Sequence, residues 1–239
     1  MIILAFDSTA KAASVAITDD EKLLALYNID NGLTQSELLL PMAENMLKSL
    51  KLSFDDIGLL ACSVGPGSFT GVRIGVALVK GIAFGKNIPC VSVSTLDSLA
   101  ENLAGLEGII VPCMDARRAQ VYTAIYRGKD GKIEKLTDDM AVAITDLAEM
   151  LKEYDNEPIY LSGDGYETAK SGLLASGVTV SDTPALLLCE NAYSVACVAK
   201  RKHDAGEYGT DLDIAPTYLR MPQAERERLE RLAKEQNNK

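Results

Sequence analysis

One histidine in 239 residues removes much enzyme chemistry before any motif is considered. It is His203, set among Lys200, Arg201, Lys202 and Asp204, and it is expected at an exposed helix end. A metal centre of paired imidazoles needs several such groups around one ion, so it is excluded by count. Ser-His-Asp or Cys-His catalysis would rest on this single side chain, and no GxSxG elbow is present. The five cysteines, Cys62, Cys90, Cys113, Cys189 and Cys197, are scattered with no CxxC pair. That pattern fits reduced core thiols better than a disulfide framework or a zinc site. No apolar run reaches the roughly 18 residues of a spanning helix. The opening MIILAFDSTA has no basic residue ahead of its apolar run, so no signal peptide and no membrane association are expected, and a cytoplasmic protein is. Positive charge is also scarce: 24 Lys and Arg against 34 Asp and Glu give a net charge of -10. Neutralising phosphates supplies most affinity for nucleic acid, so the chain alone should bind RNA or DNA poorly.

What is present is an ordinary globular composition, 47% hydrophobic and 24% charged, in a length that fits two lobes of about a hundred residues each. Short apolar runs alternate with longer amphipathic ones, the pattern of buried sheets flanked by helices. Strands are predicted at 2–6, 13–18, 22–27, 57–64 and 90–93, with helices at 34–51, 70–84 and 95–104. The second half repeats the opening: Ile2-Ile3, Asp7 and Ala16-Ile17 have counterparts at the same Asp-to-Ala spacing in Ile109-Ile110, Asp115 and Ala124-Ile125. The alternative is chance agreement of common residue types. A polar turn is predicted at 127–131, a helix at 145–154, a strand at 158–161, a glycine turn at 163–165, and helices at 166–175 and 184–202. The expected architecture is a duplicated α/β fold: an N-terminal lobe over 1–106, a smaller C-terminal lobe over 107–222, a cleft between them, and a helical tail over 223–239.

The segment VGPGSFTGVRIG, residues 64–75, packs four glycines into a strand-to-helix elbow. Backbone N–H groups at a helix N-terminus attract anions, and Gly65, Gly67 and Gly71 would let a phosphate approach, with Ser68 and Thr70 as hydroxyl donors. The elbow has no lysine and its spacing is neither GxxxxGK[ST] nor GxGxxG. Two readings stand: a phosphate cradle, or a tight turn with Ser68 or Thr70 capping the next helix. Asp7-Ser8-Thr9 is equally open, as the holder of a metal-bound phosphate or as a turn bonded to nearby backbone.

Two helices carry more apolar surface than one sheet face requires. On 37–51, residues from Leu38 to Leu50 cover roughly 200° of arc, where about 100° covers a sheet. On 70–84 and just past it, Gly71, Gly75, Ala77, Gly81 and Gly85 are spaced for close helix approach, which offsets a cost of about 1 kcal/mol per interior glycine. Leu39, Met42, Ala43, Met46, Leu50, Gly75, Val79, Gly81 and Ile82 are therefore the expected partner interface. Neighbouring helices of the same lobe are the alternative cover.

The segments LAFDSTAKAASVAI, TQSELLLPMAENML, SVGPGSFTGVRIGVALVKGIAF, MDARRAQVYTAIY and YLRMPQAERER resemble, in order and spacing, the TsaB family of the bacterial threonylcarbamoyladenosine tRNA-modification machinery. The resemblance covers almost the whole chain. It implies an actin-like, sugar kinase and Hsp70-type fold of two ribonuclease H-like lobes. It also implies a non-catalytic subunit that binds TsaD through these two helices, joins TsaE in a ternary complex, pairs with a second copy when alone, and meets tRNA only through the complex. No cofactor of its own is expected: ATP is used by the complex, and this chain binds it weakly or not at all. The DST loop lacks the glycine of active kinases of this fold, and SGDGYE looks like a reduced adenosine-binding turn. Gln35 stands where many relatives carry histidine. The competing readings are an ATP-dependent small-molecule kinase or transferase using Asp7 and the elbow, and, more weakly, a peptidase.

Overall fold

The computed structural model describes residues 1–220; the tail expected over 223–239 lies outside the described residues. In the first lobe β1 (Ile2–Asp7), β2 (Ala13–Asp19) and β3 (Lys22–Ile29) form a meander. They are followed by α1 (Gln35–Leu50), β4 (Leu59–Ser63), α2 (Phe69–Ala83), β5 (Cys90–Val93) and α3 (Thr95–Glu101). The sheet order is β3-β2-β1-β4-β5, with β1, β4 and β5 parallel. This is the order of three strands, helix, strand, helix, strand and helix expected from the sequence. α1 begins where Thr34 donates its N–H to the Glu37 carboxylate (3.0 Å), and it ends at Lys51 in the left-handed region (φ 59°).

Successive strand side chains leave opposite faces, and here both faces are covered. Leu4, Phe6, Leu60 and Cys62 meet α1 and α2. Ile3, Ala5, Leu59 and Ala61 meet Ala192, Val195, Ala196 and Ala199 of α6 (Ala192–Asp204), from the far end of the chain. Residues assigned above to the second lobe thus supply a helix to the first.

The second lobe contains β6 (Gly108–Asp115), β7 (Gln120–Thr123), β8 (Tyr126–Lys129), β9 (Lys132–Lys135), β10 (Met140–Ala143), α4 (Ile144–Leu151), β11 (Ile159–Ser162) and α5 (Tyr166–Ala175). β6 is central, with β11 parallel on one side and β7 and β8 antiparallel on the other. Its Ile109, Val111 and Cys113 face α4 and α5, while Ile110 and Met114 face α3.

The internal repeat is present as two hairpins, but the pairing differs. Ala16 opposes Ala5, two residues before Asp7, whereas Cys113, two before Asp115, opposes Thr123 rather than Ala124. The second hairpin is one residue shorter, and Arg117, Arg118 and Ala119 all take left-handed φ (62°, 55°, 55°) to close it. β9 and β10 lie where no element was predicted, and two predicted elements differ in kind. The polar run 127–131 is mostly strand β8, with Asp130-Gly131 alone as the turn; Arg127 there pairs with Glu157 (2.7 Å). The helix expected over 184–202 is a single 3-10 turn at Ala185–Leu187 and then α6, because residues 188–191 cross between the lobes.

Candidate functional site

β1 and β4 are parallel neighbours with Phe6 opposite Cys62, so Asp7 and the elbow emerge side by side. Asp7 is fully buried. One carboxylate oxygen accepts from the Thr9 N–H (2.9 Å) and hydroxyl (2.7 Å), the other from the Ser63 hydroxyl (2.5 Å). Burial pushes its pKa up, against the pull of these bonds. Hydrogen bonds to a charged group contribute about 1.5–3 kcal/mol each, enough to hold a carboxyl that would otherwise cost several kcal/mol to bury. Both oxygens are engaged by the chain itself, as the turn reading requires.

The elbow is filled in the same way. Ser68 N–H donates to the Thr9 carbonyl (2.6 Å), and the Ser8 hydroxyl donates to the Gly71 carbonyl (2.8 Å). A Cβ on Gly67 or Gly71 would penetrate the carbonyl oxygen of Thr9 or Ser8. The glycines admit the chain's own β1–β2 loop where a phosphate was one expectation. Ser68 caps α2 by accepting from the Gly71 N–H (3.2 Å), and Thr70 is exposed beside it. Gln35, at the departure from the common histidine, donates to the carbonyls of Ala10 (2.9 Å) and Lys11 (3.3 Å) and so pins that loop. In the SGDGYE turn, Gly165 N–H donates to the Cys113 carbonyl (2.9 Å), and a Cβ on Gly165 would lie 2.8 Å from that oxygen.

Carboxyls that the sequence did not single out face this region. Glu190 is 3% exposed, and its Oε1 has no partner among the described residues. Burial and the charges of Asp7 and Asp164 push its pKa up to about 8. Asp164 accepts from the Asp115 N–H (2.8 Å) and is itself raised by burial. The chain around Glu190 is fastened at four points. Leu188 O accepts from Gly163 N–H, Cys189 O from Asn102, Glu190 O from Asn28, and Ala192 N–H donates to Ser14. No three His, Cys, Asp or Glu side chains converge to hold a metal among the described residues. Glu190 had no signal in the sequence beyond a lone acid before the α6 cap Asn191.

The partner-interface expectation needs correction. Leu39, Met42, Ala43, Met46 and Val79 are buried in the first lobe's own core, and Gly75 is buried against the Ser8 hydroxyl. They are the sheet-facing half of the apolar arc. Leu50 and Ile82 are partly buried, and Gly81 is exposed with nothing within 4 Å of a Cβ placed on it. The outer half of the arc is Leu38, Leu40 (38% exposed), Ile74, Leu78, Ile82 and, just past α2, Phe84 (78% exposed).

Of the cysteines, Cys62, Cys90 and Cys113 are buried and pushed up, Cys90 to about 11 and Cys113 to about 12; Cys189 is exposed, contrary to the core reading. His203 lies in the last turn of α6, stacked on Tyr208 at 4.7 Å and only partly exposed.

The family model for TsaD, described as tRNA N6-adenosine threonylcarbamoyltransferase, matches residues 34–226. The tRNA threonylcarbamoyladenosine biosynthesis protein TsaB of Bacillus subtilis (strain 168) is 32% identical over 236 residues, covering 94% of this chain and 96% of the relative. The protein of that name from Escherichia coli (strain K12) is 31% identical over 226 residues, covering 92% and 95%. A solved structure described as an uncharacterized protein with similarity to peptidase YeaZ, from Pseudomonas aeruginosa, has a TM-score of 0.75 at 23% identity. It covers 92% of this chain and 99% of that one, which shows a shared fold. No helix among the described residues is long and apolar enough to cross a membrane. With relatives above 30% identity matched almost end to end, and the same duplicated α/β fold, the chain belongs to the TsaB family of tRNA threonylcarbamoyladenosine biosynthesis proteins.

Proposed function

We propose that this chain is a non-catalytic subunit that binds and supports TsaD in adding the threonylcarbamoyl group to adenosine of ANN-decoding tRNAs. TsaE joins them, and a second copy of this chain takes the same face when TsaD is absent. The net charge of -10 supports tRNA contact through partners rather than through this chain. The engaged oxygens of Asp7 and the self-filled elbow weigh against the kinase reading. The lone, stacked His203 weighs against the peptidase one.

The observation that carries the proposal is Gly81. An interior glycine costs about 1 kcal/mol relative to alanine, and nothing among the described residues requires it, since the space beside it is open. It lies four residues beyond exposed Ala77, with Leu78 and Ile82 beside it. A partner helix approaching closely accounts for both small residues. Gly81→Leu should leave the isolated chain as stable as before or slightly more so, while abolishing co-purification with TsaD. Unchanged association would place the interface elsewhere.

A further inference from the structure

After α6 the chain runs back along the edge of the first sheet, where Gly209 bridges Cys90, and buries Ile214 in the core beneath α2. It then makes a chain of contacts that ends on the other lobe. Thr217 N–H donates to the Val64 carbonyl (2.7 Å), and the Thr217 carbonyl presses so close to Gly65 that a Cβ there would lie 2.5 Å from it. The Tyr218 ring stacks on Phe69 at 4.6 Å, and its hydroxyl accepts from Arg73 Nε (2.8 Å). The Arg73 guanidinium in turn covers the Phe69 ring at 3.8 Å. Two residues on, Arg220 donates to Gln120 of β7 (2.7 Å) and lies over the Tyr122 ring at 5.8 Å. One short segment grips the first turn of α2 at one end and the central hairpin of the second lobe at the other.

From this geometry we infer that residues 217–220 are a clip that couples α2 to the second lobe, with the Arg73–Tyr218 pair as its latch. Among the described residues the lobes are also joined by the α3–β6 connection, by residues 188–191, and by α3 itself, which packs on Ile110 and Met114 while Ser94 donates to Asp139 and Tyr126 to Asp97. The clip is set apart by its exposure. Its grip on β7 is a side chain, and its grip on α2 is an exposed stack, with Tyr218 40% exposed. Arg73 also occupies the outer ridge of α2, four residues before Ala77 and eight before Gly81. That part of the inference rests on the proposed function: a helix docked along the ridge would reach Arg73 and with it the latch. Partner binding on the first lobe would then be felt at the β6–β7 hairpin of the second.

Native-state amide exchange on the full chain tests this. The reporters are Ala116 and Gln120, whose N–H groups close the hairpin on the Gln120 and Arg117 carbonyls. Tyr218→Ala should speed their exchange about tenfold, although the ring and hydroxyl partners of Tyr218 both sit on α2. Arg220→Ala should do the same, and Tyr218→Phe, which keeps the stack, should stay closer to wild type. Amides of β1 and β4 serve as the control for global stability and should not change. Unaltered exchange at Ala116 and Gln120 in Tyr218→Ala overturns the clip. Added TsaD should change hairpin exchange in the wild type and leave it unchanged in Tyr218→Ala. TsaD binding that never reaches the hairpin in the wild type overturns the coupling. Failure of TsaD to bind at all overturns the proposed function, while the results on the isolated chain still decide the clip.

Discussion

Gly71 lies so close beneath Ser8 that no side chain fits between them: a Cβ on Gly71 would sit inside the Ser8 carbonyl oxygen, and the Ser8 hydroxyl donates back to the Gly71 carbonyl. Backbone meets backbone at the point where β1 ends and α2 begins. Gly71→Ala would gain up to about 1 kcal/mol of helix propensity and lose more by forcing the β1–β2 loop away. A net loss of about 2 kcal/mol is expected in urea denaturation, against no loss for the same change at open Gly81.

Asp7→Ala should destabilise the isolated chain by about 3 kcal/mol, because it leaves the Ser63 and Thr9 donors buried without an acceptor. Calorimetric titration with ATP and magnesium should give no saturable binding in wild type or variant. Micromolar binding that vanishes in the variant would reinstate the kinase reading.

Glu190 predicts a pH dependence. Its ordinary carboxyl value is 4.5, and in the folded chain it is about 8. Between these values the unfolded chain has released the proton while the folded one keeps it. Stability therefore falls as pH rises through that window, by up to about 1.4 kcal/mol per unit, and levels off above it. Glu190→Gln cannot ionise and should lack this slope. Denaturation of both proteins at pH 5, 6.5, 8 and 9 should show the difference widening to pH 8 and then holding. Parallel curves would mean that the folded carboxyl ionises normally.

Leu78→Asp should behave like Gly81→Leu toward TsaD and unlike Leu39→Asp. Leu78 lies on the outer arc and is only partly buried, so its charge can reach solvent in the free chain. Leu39 is 1% exposed, and a charge there should unfold the first lobe. A thermal melt of the free protein beside a pull-down separates the two effects.

Much of the first lobe was legible because its signals are strong. Continuous apolar runs mark strands covered on both faces, and the amphipathic run from 34 and the glycine elbow place helix starts within a residue of those observed. β8 was missed because a strand near the sheet edge carries polar Arg127 and Lys129, which read as a turn. The apolar arc of α1 was read correctly in extent, but periodicity does not say which half meets the sheet, so core residues such as Leu39 and Met46 were expected at the surface. The burial of Glu190 and the influence of Asp7 and Asp164 on it were invisible because they depend on which elements lie side by side. Nor does the amphipathic pattern of α6 indicate that it covers a sheet built almost two hundred residues earlier.

That last placement bears on how the protein is made. As the chain leaves the ribosome, the first sheet is complete by Val93, yet the face formed by Ile3, Ala5, Leu59, Ala61 and Val91 stays uncovered until Ala199 has been synthesised. The second lobe, whose core lies between Ile109 and Val180, has all its residues before then. The half of the protein made first is therefore finished last, and in the interval it exposes an apolar sheet face of the kind that draws chaperones and invites aggregation.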